Sequence, residues 1–306
     1  MRAAVVGCGA VGAAISVALA RGGAEVHVIT REARGCSQGV VAVEGIGEAR
    51  LRVCGWGEAP RDVDVLVLAT KAYDVEGAVQ GALTAGLRPR LAVSVQNGLG
   101  PLETVERAFP STAGMLLYLG LTRAGDCKAV HTGGSRVVLG CRRPCDLSAL
   151  SELAGLLGSS GLRAEVVGPA EFEGERWLKL AVNSAVNPLT LIKWSRNGAV
   201  LTDPLLREAA AALAAETGRV AEGLGVRLPR DPVEETFRTA RETSENCSST
   251  VQDVALGRRT ELEYINKAVW ERSLGLSFRA ALNLLAYEAG EAASAWLRGR
   301  RSPCVG

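Results

Sequence analysis

The chain begins with a short apolar run that leads directly into a glycine-rich loop. The run is "RAAVVG", residues 2–7, and Gly7, Gly9 and Gly12 stand with GxGxxG spacing before an apolar helical pattern. In such a loop the first glycine allows a tight turn and the second lets the backbone approach a ligand closely. The third lets the helix pack against the strand. A strand, this loop and a helix in that order strongly constrain the fold.

Further apolar runs of strand length fill the first half of the chain. They lie at 24–30, 62–70 and 91–96, are rich in valine, and are separated by segments of helix length. This pattern is typical of a parallel sheet covered on both faces. We therefore predict an α/β fold whose N-terminal part is a Rossmann-type doubly wound sheet. Alternating stretches at 40–54 and 114–140 predict additional strands or hairpins.

The second half has a different pattern. From about Pro169, apolar residues recur at three- and four-residue spacing, which predicts helices. Gly168 and Pro169 end a strand and open a helix, so we predict a nucleotide-binding domain at 1–168 and an all-α domain at 169–306. Two domains also suit a chain of 306 residues. The last residues, 298–306, are predicted to be a frayed tail.

Composition excludes several classes of partner. The 35 basic and 33 acidic residues give a net charge of +2, too little to favour nucleic acid or an anionic membrane. No stretch approaches about 18 consecutive apolar residues, so we expect no membrane span. The first residues lack the length and flanks of a signal peptide. We expect a cytoplasmic protein with a small-molecule partner.

The eight cysteines are scattered without CxxC pairs, and a chain of this length does not need disulfides. The spacing of Cys141 and Cys145 could suggest a metal, but no second pair or clustered histidine completes four ligands. We therefore predict no metal site. Cys8, inside the glycine loop, could be a reactive thiol or merely a small buried residue.

The glycine loop has the chemistry of a dinucleotide site, because exposed N–H groups at a helix start hold phosphates. The expected contacts are Gly7, Cys8, Gly9, Ala10, Val11 and Gly12. Thr30 and Arg31 end the second strand, where an acidic residue would bind the ribose of NAD. An arginine there suits the 2′-phosphate of NADP, so NADP is favoured and NAD stays an alternative. Arg31 could also be a surface charge paired with Glu32.

Two later strands end in polar residues. Lys71 and Asn97 follow the runs at 62–70 and 91–96, at the carboxyl ends where open α/β sheets bind ligands. Each could instead be an ordinary turn or solvent residue, and Asn97 followed by Gly98 is typical of a tight turn.

One helix of the second half carries a polar stripe. Lys179, Asn183 and Asn187 in "KLAVNSAVNPLTLI" are four residues apart and share a face. The face could be solvated, but the chain has only five lysines against 30 arginines, and the flanking residues are apolar. Pro188 also frees the carbonyl of Ser184, a break that often accompanies function. A partly desolvated ammonium could protonate a ketone oxygen during hydride transfer, while amides position the substrate.

Three other polar residues have two interpretations each. Asn197 could join the stripe only if the chain turns back after the helix, and otherwise serves a C-cap or turn. Ser249 has capping-box spacing to Gln252, but a helix start also binds anions. Glu261 is either a site residue or a solvated helix residue.

The ordered motifs of the chain resemble those of ketopantoate reductases, also called 2-dehydropantoate 2-reductases. They are "GCGAVG" at 7–12, Lys71, "QNGLG" at 96–100, "KLAVNSAVNPLTLI" with Asn197 and Gly198, and "SSTVQDVALGRRTELEYIN" at 248–266. The resemblance implies a Rossmann domain and a helical domain with the active site in the cleft. It also implies NADPH-dependent reduction of 2-dehydropantoate to (R)-pantoate, on the route to pantothenate and coenzyme A.

The same resemblance assigns roles to single residues. Lys179 resembles the family's catalytic lysine and proton donor. The substrate-binding residues implied are Asn183, Asn187, Asn197 and Ser249, with Asn97 also near the substrate. The cofactor contacts implied are Lys71, Asn97, Gly120 and Glu261, the last close to the ribose and the substrate hydroxyl. The chain departs from the family pattern at Asp74, where glutamine is common, at Lys267, where glycine is common, and in "GLSFRAALN", which lacks a proline.

Two other functions fit the sequence. One is a related NAD(P)-dependent dehydrogenase that acts on another 2-keto or 3-hydroxy acid, which a substrate panel would distinguish. The other is a nicotinamide-binding sensor without turnover, in which Lys179→Ala would have no activity to remove. The retained lysine and asparagines argue against the sensor. The apolar helices of the second half could support a homodimer.

Overall fold

The computed structural model describes residues 1–304, which divide into two compact units. The first unit contains Met1–Gln96 and Pro101–Phe172. The second contains Asn97–Gly100 and the described residues from Glu173 onward. The domain boundary at residue 168 stays a prediction.

The first unit is an α/β structure built on one sheet of nine strands. The strands are β1 (Arg2–Val6), β2 (Glu25–Ile29), β3 (Cys36–Glu44), β4 (Gly47–Cys54), β5 (Asp62–Leu68), β6 (Arg88–Ser94), β7 (Thr112–Gly125), β8 (Lys128–Gly140) and β9 (Arg163–Val166). The helices are α1 (Ala10–Arg21), α2 (Val75–Thr84), α3 (Pro101–Ala108) and α4 (Leu147–Ser159). Short 3₁₀ turns lie at Trp56–Glu58 and Ala72–Asp74.

The strand order is β3-β4-β2-β1-β5-β6-β7-β8-β9. The six strands from β4 to β7 in this order are parallel and follow the order of a Rossmann fold. Antiparallel hairpins flank them, β3 with β4 and β7 with β8. The predicted α/β sheet and both predicted hairpins are therefore confirmed. Strand β3 also pairs with β8 through Ala42 and Lys128, so the sheet closes on itself.

Helices cover both faces of the central strands. Along β5, Val65 and Val67 join the core formed with α1 and α4. The alternate residues Leu66 and Leu68 join the core formed with α2 and α3. Because successive side chains of a strand point to opposite faces, a strand buried on both sides must be apolar throughout. This requirement explains the uninterrupted valine-rich runs of the sequence.

The second unit is helical. Its helices are α5 (Pro169–Lys193), α6 (Ala199–Thr202), α7 (Pro204–Gly223), α8 (Pro232–Glu242), α9 (Ser249–Ala255), α10 (Ala268–Ser273) and α11 (Ala281–Leu297). The first residues of α5, before Glu173, belong to the first unit. A π-helical turn lies at Glu263–Lys267. Helices α7 and α8 each start with an aspartate cap followed by proline, which predefines the first turn. No helix within residues 1–304 combines the length and apolarity that a membrane crossing requires.

All eight cysteines are paired in disulfides, which corrects the expectation that the chain does without them. The pairs are Cys8–Cys127, Cys36–Cys54, Cys141–Cys145 and Cys247–Cys304. The partners are separated by 119, 18, 4 and 57 residues, so three pairs meet only through the tertiary structure and give no local signal. Within residues 1–304, no group of three or more metal-binding side chains could hold a metal ion.

The end of the described chain is anchored. Cys304 is bonded to Cys247, and the Trp194 indole N–H donates to the Arg301 carbonyl at 3.1 Å. The predicted frayed tail at 298–306 is therefore wrong as far as Cys304, because a distant cysteine and a tryptophan hold it. Residues 305 and 306 lie outside the described part.

The disulfides should differ in their effect on stability. Cross-linking stabilises mainly by restricting the unfolded chain, and the effect grows with loop length. We expect Cys304→Ser to lower the free energy of unfolding by about 4 kcal/mol and Cys145→Ser by about 2 kcal/mol. Denaturant unfolding of both variants beside the wild type measures the difference. Equal losses would contradict the loop-length explanation.

Candidate active site

The glycine loop of the first unit has the shape that a bound dinucleotide requires. Gly7 has a φ of +99°, in the left-handed region that favours glycine. A Cβ on Gly12 would lie 2.0 Å from the Gly7 carbonyl oxygen, so only glycine lets the helix approach the strand. A Cβ on Gly9 would meet nothing within 4 Å, which leaves open space beside the loop backbone. These are the three properties that pyrophosphate binding needs from such a loop.

Helix α1 follows the loop and supplies free backbone donors. Gly9 is its N-cap, and Ala10, Val11 and Gly12 form the first turn, which carries no acidic side chain. The first N–H groups of a helix have no intrahelical acceptor, and the helix dipole favours an anion there. Cys8 is neither a free thiol nor fully buried, because it is bonded to Cys127.

The second strand ends beside an arginine that remains accessible. The ion-pair partner of Arg31 is Asp74, with 3.5 Å between Nη1 and Oδ1, whereas the sequence suggested Glu32. The Arg31 side chain is 74% exposed. Such an exposed pair contributes little to stability, so the guanidinium can exchange Asp74 for a ligand phosphate at small cost.

The carboxyl end of β5 is fixed by a residue to which the sequence analysis gave no role. The Gln96 amide donates to the carbonyl of Leu68 at 2.7 Å and to that of Thr70 at 3.0 Å. It thereby orders the segment that leads into Lys71, which precedes the 3₁₀ turn Ala72–Asp74. The sequence does carry a signal for this role, because Gln96 is a polar residue placed just after a buried strand.

Two predicted contacts lie at irregular backbone positions. Gly98 has a φ of +87°, and a Cβ on it would lie 2.2 Å from the Tyr264 carbonyl oxygen. The next N–H, that of Leu99, donates to the same oxygen at 2.8 Å. Asn97 is therefore followed by a tight turn that packs on the π-helical turn of the second unit. Gly120 lies in β7 at a shift of register opposite Gly133.

The polar stripe of α5 is not a solvent face. Asn187 is 3% exposed, and Lys179 and Asn183 are only partly exposed. The neighbours Trp177 and Leu180 belong to the apolar core of the second unit. A lysine held among such residues loses much of its hydration.

Burial changes the ionisation of this lysine. It lowers the pKa of Lys179 from 10.5 to about 8, because the charged form is poorly solvated. The carboxylate of Glu261 acts in the opposite direction and favours the protonated form. Glu261 is itself buried, which excludes the interpretation of a solvated helix residue. The structure thus brings together Lys179 and Glu261, which are 82 residues apart in sequence.

In the part of the chain that the structure describes, three asparagines carry buried polar atoms without a hydrogen-bond partner, namely Asn187, Asn197 and Asn266, and the first two belong to the predicted substrate site. Among the described residues, Nδ2 of Asn187 and Oδ1 of Asn197 have no hydrogen-bond partner. Buried polar groups are nearly always paired, so unpaired ones need an explanation such as a ligand. A donor and an acceptor of this kind fit the carbonyl, carboxylate or hydroxyl oxygens of a small hydroxy or keto acid.

The chain leaves the course of α5 before it reaches Asn197. Trp194, with a φ of 52°, ends the helix in a left-handed conformation, so the C-cap interpretation of Asn197 is wrong. The Asn197 N–H donates to the Asn246 carbonyl at 2.9 Å, and its side-chain Nδ2 donates to Thr243 at 3.0 Å. These bonds fix the residue on the segment before α9.

The residue that caps α9 is Ser248, whereas the sequence suggested Ser249. Ser248 is the N-cap, and its hydroxyl accepts from the Val251 N–H at 3.3 Å. It also bonds to Thr190 of α5 at 2.8 Å between hydroxyl oxygens. Ser249 is the first residue of α9, so the prediction that it caps the helix is wrong. The capping-box spacing could not decide between adjacent serines.

Asn266, to which the sequence gave no role, supplies the hydrogen bond that Pro188 removes from α5. Pro188 has no N–H for the carbonyl of Ser184, which instead accepts from Asn266 Nδ2 at 2.8 Å. Asn266 is fully buried and lies on the π-helical turn. It also donates to Asn283 Oδ1 at 3.0 Å. The missing helical bond thus spans Ser184 to Pro188, beside Asn187 of the polar stripe, and the Asn266 amide satisfies the carbonyl left without its partner.

Solved structures share the fold over nearly the whole chain. The 2-dehydropantoate 2-reductase of Geobacter metallireducens GS-15 aligns with a TM-score of 0.84 and 22% identity, over 96% of this chain and 100% of that one. At this identity the likeness shows the fold alone. The fold places the chain in the class of proteins that combine a Rossmann-type α/β domain with an all-α domain.

Sequence comparison identifies the family within this class. The family model described as ketopantoate reductase PanE/ApbA matches residues 3–144, and that for its C-terminal part matches residues 171–292. The 2-dehydropantoate 2-reductase of Pyrobaculum aerophilum is 37% identical over 91% of this chain and 93% of its own. That of Archaeoglobus fulgidus is 30% identical over 92% and 94%. The chain belongs to the ketopantoate reductase family, which confirms the resemblance seen in its motifs.

The role of Asn266 can be tested with a double-mutant cycle. Asn266→Leu leaves the buried Ser184 carbonyl unpaired and should lower the free energy of unfolding by about 1–3 kcal/mol. In a Pro188→Ala background the restored N–H can bond to that carbonyl, so the same substitution should cost about 1 kcal/mol less. Denaturant unfolding of the four proteins gives the coupling free energy between Asn266 and Pro188. Strictly additive losses would disprove that Asn266 replaces the missing N–H of Pro188.

Proposed function

We propose that this chain reduces 2-dehydropantoate to (R)-pantoate with NADPH, and that Lys179 donates the proton. The step would serve pantothenate and coenzyme A biosynthesis. The observation that carries the proposal is a half-buried lysine with a pKa of about 8 on the same helix as a buried asparagine whose amide nitrogen is unpaired. The names of the relatives from Pyrobaculum aerophilum and Archaeoglobus fulgidus support the same substrate.

The residues of the first unit fit a dinucleotide. The N–H groups from Gly9 to Gly12 would hold the pyrophosphate, and the open space at Gly9 leaves room for it. Arg31 would bind the 2′-phosphate, and Lys71 would add positive charge near the phosphates. When bound, the nicotinamide supplies a hydride. Gly120 would add a cofactor contact. From the second unit, we propose Asn97 as a further cofactor contact and Glu261 as the acceptor of hydrogen bonds from the ribose and the substrate hydroxyl.

The residues of the second unit would bind the keto acid and complete the reaction. Asn183, Asn187, Asn197 and Ser249 would hold its carbonyl, carboxylate and hydroxyl oxygens. Negative charge develops on the ketone oxygen as its carbon accepts hydride, and the Lys179 ammonium would donate a proton to that oxygen. A pKa of about 8 suits this task, because the group is protonated at neutral pH and still gives up its proton readily.

Cellular location and assembly are parts of the same proposal. We propose a cytoplasmic enzyme, which the four disulfides do not exclude, because some intracellular proteins also carry disulfides. A homodimer is proposed as well, because Leu205, Leu285 and Trp296 of the second unit expose large apolar side chains.

The proton-donor role predicts a specific loss of activity. Lys179→Ala should lower kcat for ketopantoate reduction about 100-fold or more, because a general acid contributes that much. The matched control is Lys193→Ala, since Lys193 lies at the end of the same helix, exposed and paired with Asp203. NADPH absorbance measures both. Full activity of Lys179→Ala would disprove the proton-donor role. Oxidation of NADPH by the wild type with other keto acids but not with ketopantoate would show that the substrate is a different keto acid.

The pH profile tests the same group independently. Because the acid form is active, kcat/KM for reduction should be constant below about pH 8 and fall about tenfold per pH unit above it. A profile that stays level to pH 10 would exclude Lys179 as the proton donor.

Cofactor choice is tested at the end of β2. Arg31→Ala should raise the dissociation constant for NADPH about tenfold and that for NADH less than about twofold, because only NADPH carries the 2′-phosphate. Arg34→Ala, three residues away and also exposed, is the matched control. Equal effects of Arg31→Ala on both nucleotides would exclude Arg31 as a ligand of the 2′-phosphate and remove the reason to prefer NADPH.

A further inference from the structure

A disulfide fastens the glycine loop to a distant hairpin of the first unit. Cys8 stands between Gly7 and Gly9, and Cys127 is the second residue of the turn that joins β7 to β8. Their Cα atoms are 4.8 Å apart, and the Cys127 N–H donates to the Cys8 carbonyl at 3.2 Å. The loop is therefore held at its midpoint by one covalent bond and one hydrogen bond.

The hairpin end is itself fixed. The Cys127 carbonyl accepts from the Ala42 N–H at 3.1 Å, where β3 begins to pair with β8. The Arg123 side chain donates to the Gly125 carbonyl at 3.1 Å and pairs with Asp126. A loop bonded to this turn is attached to the sheet, not to a mobile tip.

Without this attachment the loop would gain conformational freedom at its midpoint, while the Gly7 N–H, which donates to the Ile29 carbonyl at 2.9 Å, would still hold its start. Glycine loses more conformational freedom on ordering than any other residue, and Cys8 has a glycine on each side. A phosphate site requires the loop N–H groups to point in fixed directions. If the loop had to become ordered on binding, its lost entropy would be subtracted from the affinity.

We propose that the Cys8–Cys127 disulfide holds the glycine loop in its phosphate-binding conformation, so that reducing this one bond weakens dinucleotide binding. The inference rests on the proposed dinucleotide function and adds a dependence on redox state. Both cysteines are partly exposed, so a small reductant can reach them. A dithiol supplies two electrons and two protons, the Sγ–Sγ bond breaks to give two thiols, and the dithiol closes to its own disulfide.

The experiment measures NADPH binding directly, by nucleotide fluorescence at a temperature where all variants are folded. Cys127→Ser should raise the dissociation constant about fivefold or more, while Cys8 and both neighbouring glycines remain in place. The matched control, Cys304→Ser, breaks the Cys247–Cys304 disulfide of the second unit and should leave the NADPH constant unchanged.

Reduction gives a second route to the same result. Dithiothreitol should weaken NADPH binding of the wild type to the level of Cys127→Ser and have no further effect on that variant, and reoxidation should restore it. Equal affinities of oxidised wild type and Cys127→Ser, or peptide mapping that finds Cys8 and Cys127 as free thiols, would overturn the proposal. Failure of the oxidised wild type to bind either NADPH or NADH would instead reject the proposed dinucleotide function, and the inference with it.

Discussion

An ammonium group among apolar side chains holds its proton weakly, and the second unit is organised around this constraint. Trp177 and Leu180, close to Lys179 in sequence, belong to the apolar core, and burial lowers the pKa of Lys179. Glu261 provides the opposing field, so the pKa remains near 8. The dependence is mutual, because the buried Glu261 carboxylate also needs a neighbouring positive charge.

One short segment, 261–267, supports both α5 and residues 97–100. Glu261 contributes the counter-charge, Tyr264 the carbonyl to which Leu99 donates, and Asn266 the amide that replaces the missing donor of Pro188. A π-helical turn in this segment places successive residues at angles that a regular helix does not provide. The irregular backbone here is thus a means of directing three different groups of atoms.

The sequence predicted what depends on local periodicity and missed what depends on pairs distant along the chain. The strands and hairpins followed from valine-rich runs, and the stripe from four-residue spacing. The cysteine partners had no such signal, since Cys8 meets Cys127 only after the sheet has formed. The partner of Arg31 was missed for the same reason. The prediction of the α9 cap was wrong for a different reason: Ser248 and Ser249 are adjacent and have the same side chain, so spacing alone could not distinguish them.

The assignment of residues 97–100 to the helical unit affects how the chain can be divided. Leu99 is 3% exposed and packs in the core of that unit, although the chain around it belongs to the sheet. A fragment starting at Glu173 would lack this side chain and leave the Tyr264 carbonyl without its donor. Such a fragment would have a cavity in its core where Leu99 belongs. A truncation at the boundary between the two units would therefore not give a stable helical domain.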